Sequence, residues 1–180
     1  MSYKDIPVGS DAPAKVYAVV EMPKGQMGNK YEYYEEYDTI FLDRVEQNML
    51  SNSIGVDYGF IPQTRSEDGD HLDVLIMSRY PLHVGITAEV RVLGVMNMVD
   101  DGENDHKIIA VIDSDKYYDA LQEFSDIPAH LIRELEYTFL HYKDLRKGTD
   151  SVQINGWGDR QEAYRVINNA IAAEASGAVK

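Results

Sequence analysis

Asp68-Gly69-Asp70-His71-Leu72-Asp73 runs without a break into Val74-Leu75-Ile76-Met77. The four apolar residues read as a buried strand. Three carboxylates within six positions stand directly ahead of it. Like charges repel one another and lose hydration on entering a core, so a strand of this kind does not ordinarily begin in an acidic cluster. Either the loop is solvated or a cation neutralises it. The second case makes the stretch a divalent-metal site. Gly69 then supplies the bend, and Asp68, Asp70 and Asp73 supply oxygen ligands of the type that Mg2+ takes. An EF-hand is excluded, because counting from Asp68 puts Asp73 where the loop needs Gly and Arg79 where it needs Glu.

A second acidic loop, residues 100–107 (DDGENDHK), offers Asp100, Asp101 and Asp105, with Lys107 close behind. It fails the EF-hand count in the same way, with His106 and Ile112 at the two diagnostic positions when Asp101 is taken as the first. Either loop alone reads more readily as a solvated turn than as a ligand cluster. Two such loops, each leading into an apolar strand, fit one rim of a barrel. There they could form a paired-metal site, the usual device for activating water against a phosphate.

The chain has 180 residues, enough for one domain, residues 1–180, with a proper core. Its net charge of −14 opposes a nucleic-acid backbone as partner and suits a protein that collects cations. Acid-rich solubility accounts for the charge as well. There is no cysteine, which excludes disulfides, thiolate nucleophiles and cysteine-ligated metals. Met1 to Pro7 is too polar for a secretion signal, and no apolar run approaches the ~20 residues needed to span a bilayer. The expectation is a cytoplasmic protein with no membrane or nucleic-acid partner.

Turn signals divide the first two thirds into β-rich runs at residues 15–22, 30–37, 39–45, 72–77, 87–98 and 108–113. A tight turn at Asp38 separates the second and third. Gly94 is placed for a bulge. Residues 51–62, rich in Gly, Asp and Pro, read as turns. Strands without alternating helices argue for a small closed barrel. The last third changes period. Ser125 or Asp126 can cap a helix carrying Leu131, Leu135 and Phe139 on one stripe. Asp159 and Glu162 open a second helix with Ala163, Val166, Ile167, Ala170 and Ile171 on its apolar face, and the tail from Glu174 reads as frayed.

Cations stand out in so acidic a chain. Lys30, Arg44, Lys107 and Lys143 lie in or beside structured segments, and Lys30 shares a strand face with Glu32. Each alone fits a surface charge; a polyanionic substrate would need several together.

These pieces together resemble the soluble family I inorganic pyrophosphatases, whose signature is Asp-x-Asp-Pro-x-Asp running into an apolar strand. The matching segments are VYAVVEMP, KYEY, LDRV, DYGFIP, YPLHVG, DDGENDHKIIAV and HYKDLRKG with the later GW, from about Val16 to Trp157. The resemblance implies a mainly β fold with flanking helices (α+β): a five-stranded OB-like closed barrel with two helices in the C-terminal third. It implies Mg2+-dependent hydrolysis of pyrophosphate to two phosphates by a cytoplasmic homo-oligomer, a homohexamer in most prokaryotes. Several Mg2+ ions serve each site, with Mn2+, Zn2+ or Co2+ as substitutes. Carried over by position, Asp68, Asp70, Asp73, Asp100 and Asp105 form the metal shell, with Asp101 and Glu21 nearby. Lys30, Arg44, Tyr142 and Lys143 hold the phosphates, and Glu32, Tyr58 and Lys107 complete the pocket. Asp70 is the general base, and Tyr58 stands with it as a catalytic residue.

The chain departs from the family pattern at three places. Ile54-Gly55 stand where Tyr-Pro precedes the Tyr-Gly segment, His71 replaces the signature proline, and Asp100-Asp101 replace Asp-Glu. His71 either adds a ligand or proton acceptor or points to solvent. Its presence also loosens the loop relative to proline. The rival functions are a ligand-binding barrel, a catalytically weakened pyrophosphatase-like protein with a binding or structural role, and a different metal-dependent phosphohydrolase. Against the first, an OB nucleic-acid groove is basic, and this chain has the wrong sign.

Overall fold

The computed structural model describes residues 2–26, 28–45, 55–148 and 151–177. Strand β1 (Lys15–Met22) pairs antiparallel with β4 (Asp57–Ile61), which pairs antiparallel with β5 (Leu72–Met77). β5 pairs parallel with β8 (Lys107–Ile112), and β8 pairs antiparallel with the long β6 (Thr87–Asp100). β6 returns to β1 and closes a five-stranded ring. This is the closed barrel that the resemblance implied. β7 (Glu103–Asn104) and β9 (Val152–Gly158) extend β6 beyond the ring. β2 (Asn29–Tyr34) and β3 (Thr39–Val45) form a hairpin of their own.

The ring strands are apolar on both faces because both faces are covered. Val74 and Ile76 of β5 join Val92 and Ala110 in a cluster that takes in Ala163, Ile167 and Ala170 of helix α3 (Arg160–Ser176). Leu75 and Met77 point the other way, into a cluster with Met96, Ile109 and Leu135 and Phe139 of helix α1 (Ala129–His141). A four-residue helix, α2 (Asp144–Lys147), follows α1. Among the described residues, no helix is long and apolar enough to cross a membrane.

The structure corrects several local expectations. Residues 57–61 are a strand, not a turn. Gly59 is there because β1 lies against it: a Cβ at this position would stand 2.0 Å from the carbonyl oxygen of Val19. Asp57, which reads as a turn residue, is fully buried and accepts the Lys24 and Leu82 N–H groups (3.0 Å each) and the Ser78 hydroxyl. Residues 51–54, Ile54 included, lie outside the described residues. β2 stops at Tyr34, and its turn ends at Asp38 with φ of 50°. β6 runs on to Asp100, and its register shifts between Val92 and Gly94 as a bulge. β9, with two glycines and a tryptophan, carried no strand signal. Asp126 serves the turn before α1, accepting from Gln122 and Glu123, while Pro128 occupies the N-cap. Asp159 caps α3 as expected, accepting the Glu162 N–H. That helix continues past Glu174 to Ser176, and Gly177 closes it with φ of 62°.

Candidate active site

The parallel register of β5 and β8 sets Asp73 beside Lys107. The Lys107 ammonium donates to both Asp73 and Asp105, with only 4% of its side chain exposed. Burial pulls its pKa down, but the two carboxylates outweigh that and hold it above the usual lysine value. Tyr58, on β4 next to β5, donates its hydroxyl to Asp73 at 2.5 Å. Burial, and then the Asp73 charge, pushes this phenol well up, so it remains a donor. At the end of β6, Asp100 accepts from Lys143, which stands between α1 and α2, and from the Tyr142 hydroxyl at 3.3 Å. The other oxygen of Asp100, Oδ1, is buried with no hydrogen-bond partner in the protein.

The loop before β5 differs. Asp68 accepts the Asp70 N–H at 3.0 Å, and neither carboxylate forms an ion pair among the described residues. Asp68 is pushed up to about 6, first by loss of surrounding water and then by the charges of Asp105 and Asp70. Asp70 is raised as well, first by desolvation and then by Glu32.

The β2–β3 hairpin closes the opposite side. Strand alternation puts Lys30 and Glu32 on one face, 2.6 Å apart, and the hairpin register sets Lys30 against Arg44. Asp43 lies between the two cations, 2.5 Å from Arg44 and 3.7 Å from Lys30. Glu21 of β1 is buried and accepts the Tyr33 N–H at 2.7 Å, which ties the hairpin to the barrel. Burial, and then Asp73, pushes the Glu21 carboxyl up to about 8.

A cavity of about 580 Å3 brings together every site residue expected above except Asp101. Asp101 lies outside it. Its side chain is 47% exposed at a φ of 49°, and it pairs with Lys147, whose hydrogen bond holds the carboxyl below the usual range. His71 neither faces solvent nor stands free. Its ring stacks on Phe60 and Tyr33, with centroids at 5.0 and 5.7 Å, and Nδ1 lies 2.8 Å from the Thr64 carbonyl, where it donates. Gly55 is exposed. Charged residues at this cavity that the sequence reading did not single out include Asp43 and Arg65. An acid inside a strand and a base in a loop read as surface charges until the chain is folded.

Among the described residues, no three acids or imidazoles are already gathered at metal-ligand spacing. Lys107 pairs with Asp73 and Asp105, and Lys143 with Asp100. The donor set nevertheless fits hard divalent cations: it is all oxygen, Asp100 keeps an unused buried oxygen, and Asp68 and Asp70 lack counter-charges among the described residues.

A protein-family model described as "Inorganic pyrophosphatase" matches residues 18–175. The inorganic pyrophosphatase of Thermus thermophilus is 42% identical over 170 residues, covering 94% of this chain and 95% of that protein. The one from Pseudomonas aeruginosa is 39% identical over 176 residues, covering 96% and 98%. The crystal structure of an inorganic pyrophosphatase from Neisseria gonorrhoeae superposes with a TM-score of 0.89 at 38% identity, covering 96% of this chain and 98% of the other.

Proposed function

The chain belongs to the inorganic pyrophosphatase family, and from that premise we propose how its cavity hydrolyses pyrophosphate. The observation that carries the reading is one cavity lined by both a set of carboxylates and several cations, Lys30, Arg44, Lys107 and Lys143.

Lys30 and Arg44 from the hairpin, with Lys107, Lys143 and the Tyr142 hydroxyl, bind the phosphoryl oxygens and hold the bridging P–O bond across the cavity. Tyr142 and Tyr58 stay protonated near neutral pH, so both act as donors. Asp68, Asp73, Asp100 and Asp105 would hold the divalent ions the family requires, which we assign as Mg2+ with Mn2+, Zn2+ or Co2+ as substitutes. When bound, such ions acidify water and neutralise phosphoryl charge. Asp70 takes the proton of the attacking water. Its raised pKa in the metal-free site makes it a better proton acceptor than an ordinary aspartate. The water oxygen forms a bond to one phosphorus, the bridging P–O bond breaks, and the second phosphate leaves with its electron pair. Lys30, Arg44, Lys107 and Lys143 neutralise the charge gathering on the leaving oxygen. Tyr58 keeps Asp73 oriented, and Glu32 does the same for Lys30. Asp101 is left out of the metal shell.

Phosphate release from pyrophosphate, assayed with each of these metals and with none, tests the reading. Turnover should require metal and be greatest with Mg2+; no release with any of them would overturn it. The complete charged shell supports an active enzyme over a weakened relative. The resemblance also points to a cytoplasmic homohexamer. Exposed Tyr137 and Leu140 on α1 and Leu145 on α2 offer apolar surface of the type that self-association buries. Sedimentation velocity measures the assembly directly.

A further inference from the structure

The acidic loop is held from behind by a residue that touches none of its carboxylates. Arg65 precedes the loop, and only 13% of its side chain is exposed. Each of its three side-chain nitrogens has a different protein acceptor. Nε donates to Glu174 near the C-terminal end of α3 at 2.8 Å, Nη1 to the Gly69 carbonyl at 2.8 Å, and Nη2 to Glu35 in the β2–β3 turn at 3.1 Å. Its own backbone N–H reaches the Ala170 carbonyl on α3 at 2.9 Å. Burial opposes the charge, but Glu174 and Glu35 outweigh it.

The loop has few other restraints. Ser66 N–H meets the Asp70 carbonyl at 2.7 Å, and Gly69 N–H meets the Ser66 carbonyl at 3.1 Å. Gly69 sits at φ of 94° with open space on its Cβ side. A glycine so placed turns freely unless its peptide is tethered. On that peptide the Asp70 N–H stays within the loop, on Asp68 Oδ1, and the Gly69 carbonyl is tied outside it by Arg65.

We propose that Arg65 is a positioning residue: its guanidinium fastens the loop bearing Asp68 and Asp70 to α3 and to the β2–β3 turn, and so sets where these two carboxylates stand relative to the hairpin that carries Lys30 and Arg44. The proposal rests on the assignment of Asp68 and Asp70 to the reacting shell. Three acceptors in three directions require the flat, multi-donor guanidinium, which a lysine cannot replace. Three of the five guanidinium N–H donors are engaged by protein, which fixes the group against the loop, and the split between kcat and KM separates this positioning role from direct phosphate binding.

Hydrogen exchange of the metal-free protein, followed by steady-state kinetics, tests this. In Arg65→Leu, amides 66–70 should exchange about tenfold faster, while those of β5 and β8 keep their protection. kcat should fall about tenfold with KM nearly unchanged, because misplaced catalytic groups cost turnover and not binding. Arg65→Lys should recover little of either. Glu174→Gln, outside the cavity, should speed the same amides to a smaller degree, and it covers the case in which Arg65→Leu does not fold. Unchanged exchange at 66–70, or an equal rise throughout the barrel, would overturn the proposal. So would a loss of activity carried wholly by KM, which would make Arg65 a substrate ligand. If Asp70→Asn kept full turnover while the exchange result held, the site assignment would fail and the tether would stand.

Discussion

The two acidic loops are alike in composition and opposite in condition. In the loop of residues 100–107 every aspartate pairs with a lysine: Asp100 with Lys143, Asp101 with Lys147, and Asp105 with Lys107, which also serves Asp73. In the loop of residues 66–71, Asp68 and Asp70 have no ion-pair partner among the described residues, and both carboxyls are raised. Equal local charge therefore conceals two physical states. One loop is ion-paired within the fold, although burial still raises Asp105. The other carries two carboxylates with no ion pair among the described residues. A site that must bind both a metal and a polyanion gains from this split. In the proposed mechanism Lys107 and Lys143 both balance these carboxylates and contact phosphate, while Asp68 and Asp70 are left open to a cation and to the proton of the attacking water.

The comparison can be broken most sharply at Asp70. Asp70→Asn removes the proposed base without removing a structural ion pair. It should lower kcat by a factor of ~10²–10⁴ while leaving the thermal midpoint almost unmoved. Equal turnover in the two proteins would take Asp70 out of the chemistry.

Lys107→Met attacks the compensated side. It leaves Asp73 and Asp105 buried without their counter-charge and should cost about 3–5 kcal/mol in the metal-free protein, read from urea denaturation. Added Mg2+ should restore part of that loss by neutralising the same carboxylates. A variant as stable as the parent would mean that Lys107 does not balance these acids.

Glu21 extends the uncompensated group to a third position. Its folded-state pKa of about 8 lies above the ordinary 4.5, so between those values the folded metal-free protein binds more protons than the unfolded chain. Stability from this group is fully present below the lower value and is lost as pH rises through the upper one. Urea midpoints should therefore fall between pH 5 and pH 8, and Glu21→Gln should flatten that slope. An unchanged slope would contradict the assignment.

Asp101→Asn is the smallest of the four perturbations. An exposed pair with Lys147 contributes little, so turnover and its Mg2+ dependence should stay within about twofold. A loss of tenfold or more would return Asp101 to the metal shell.

Much of this was legible in order along the chain. The run Val74–Met77 announced a strand covered on both faces, and Gly94 announced a bulge. Apolar spacing located α1 and α3. The failures have a common cause. β4 was hidden because Gly59 answers to the approach of β1, and Asp57 to three donors from two other loops. Turn chemistry and tertiary contact call for the same residue types, and only the folded chain separates them. His71 looked foreign beside the acids; a stack on Phe60 and Tyr33 from two other strands gives it a place that no local pattern encodes.

The sequence by itself determined the chemical inventory: which carboxylates and cations exist, which strands and helices carry them, and the family to which they belong. Local spacing encodes that much because periodicity and motif are short-range properties. The tertiary structure decided the pairing. Parallel register set Asp73 against Lys107, the turn between α1 and α2 brought Lys143 to Asp100, and Arg65 reached the far end of α3. Charge compensation depends on distances of a few ångströms between residues far apart in the chain, so whether an aspartate is paired or waiting for a metal is set only when the barrel closes.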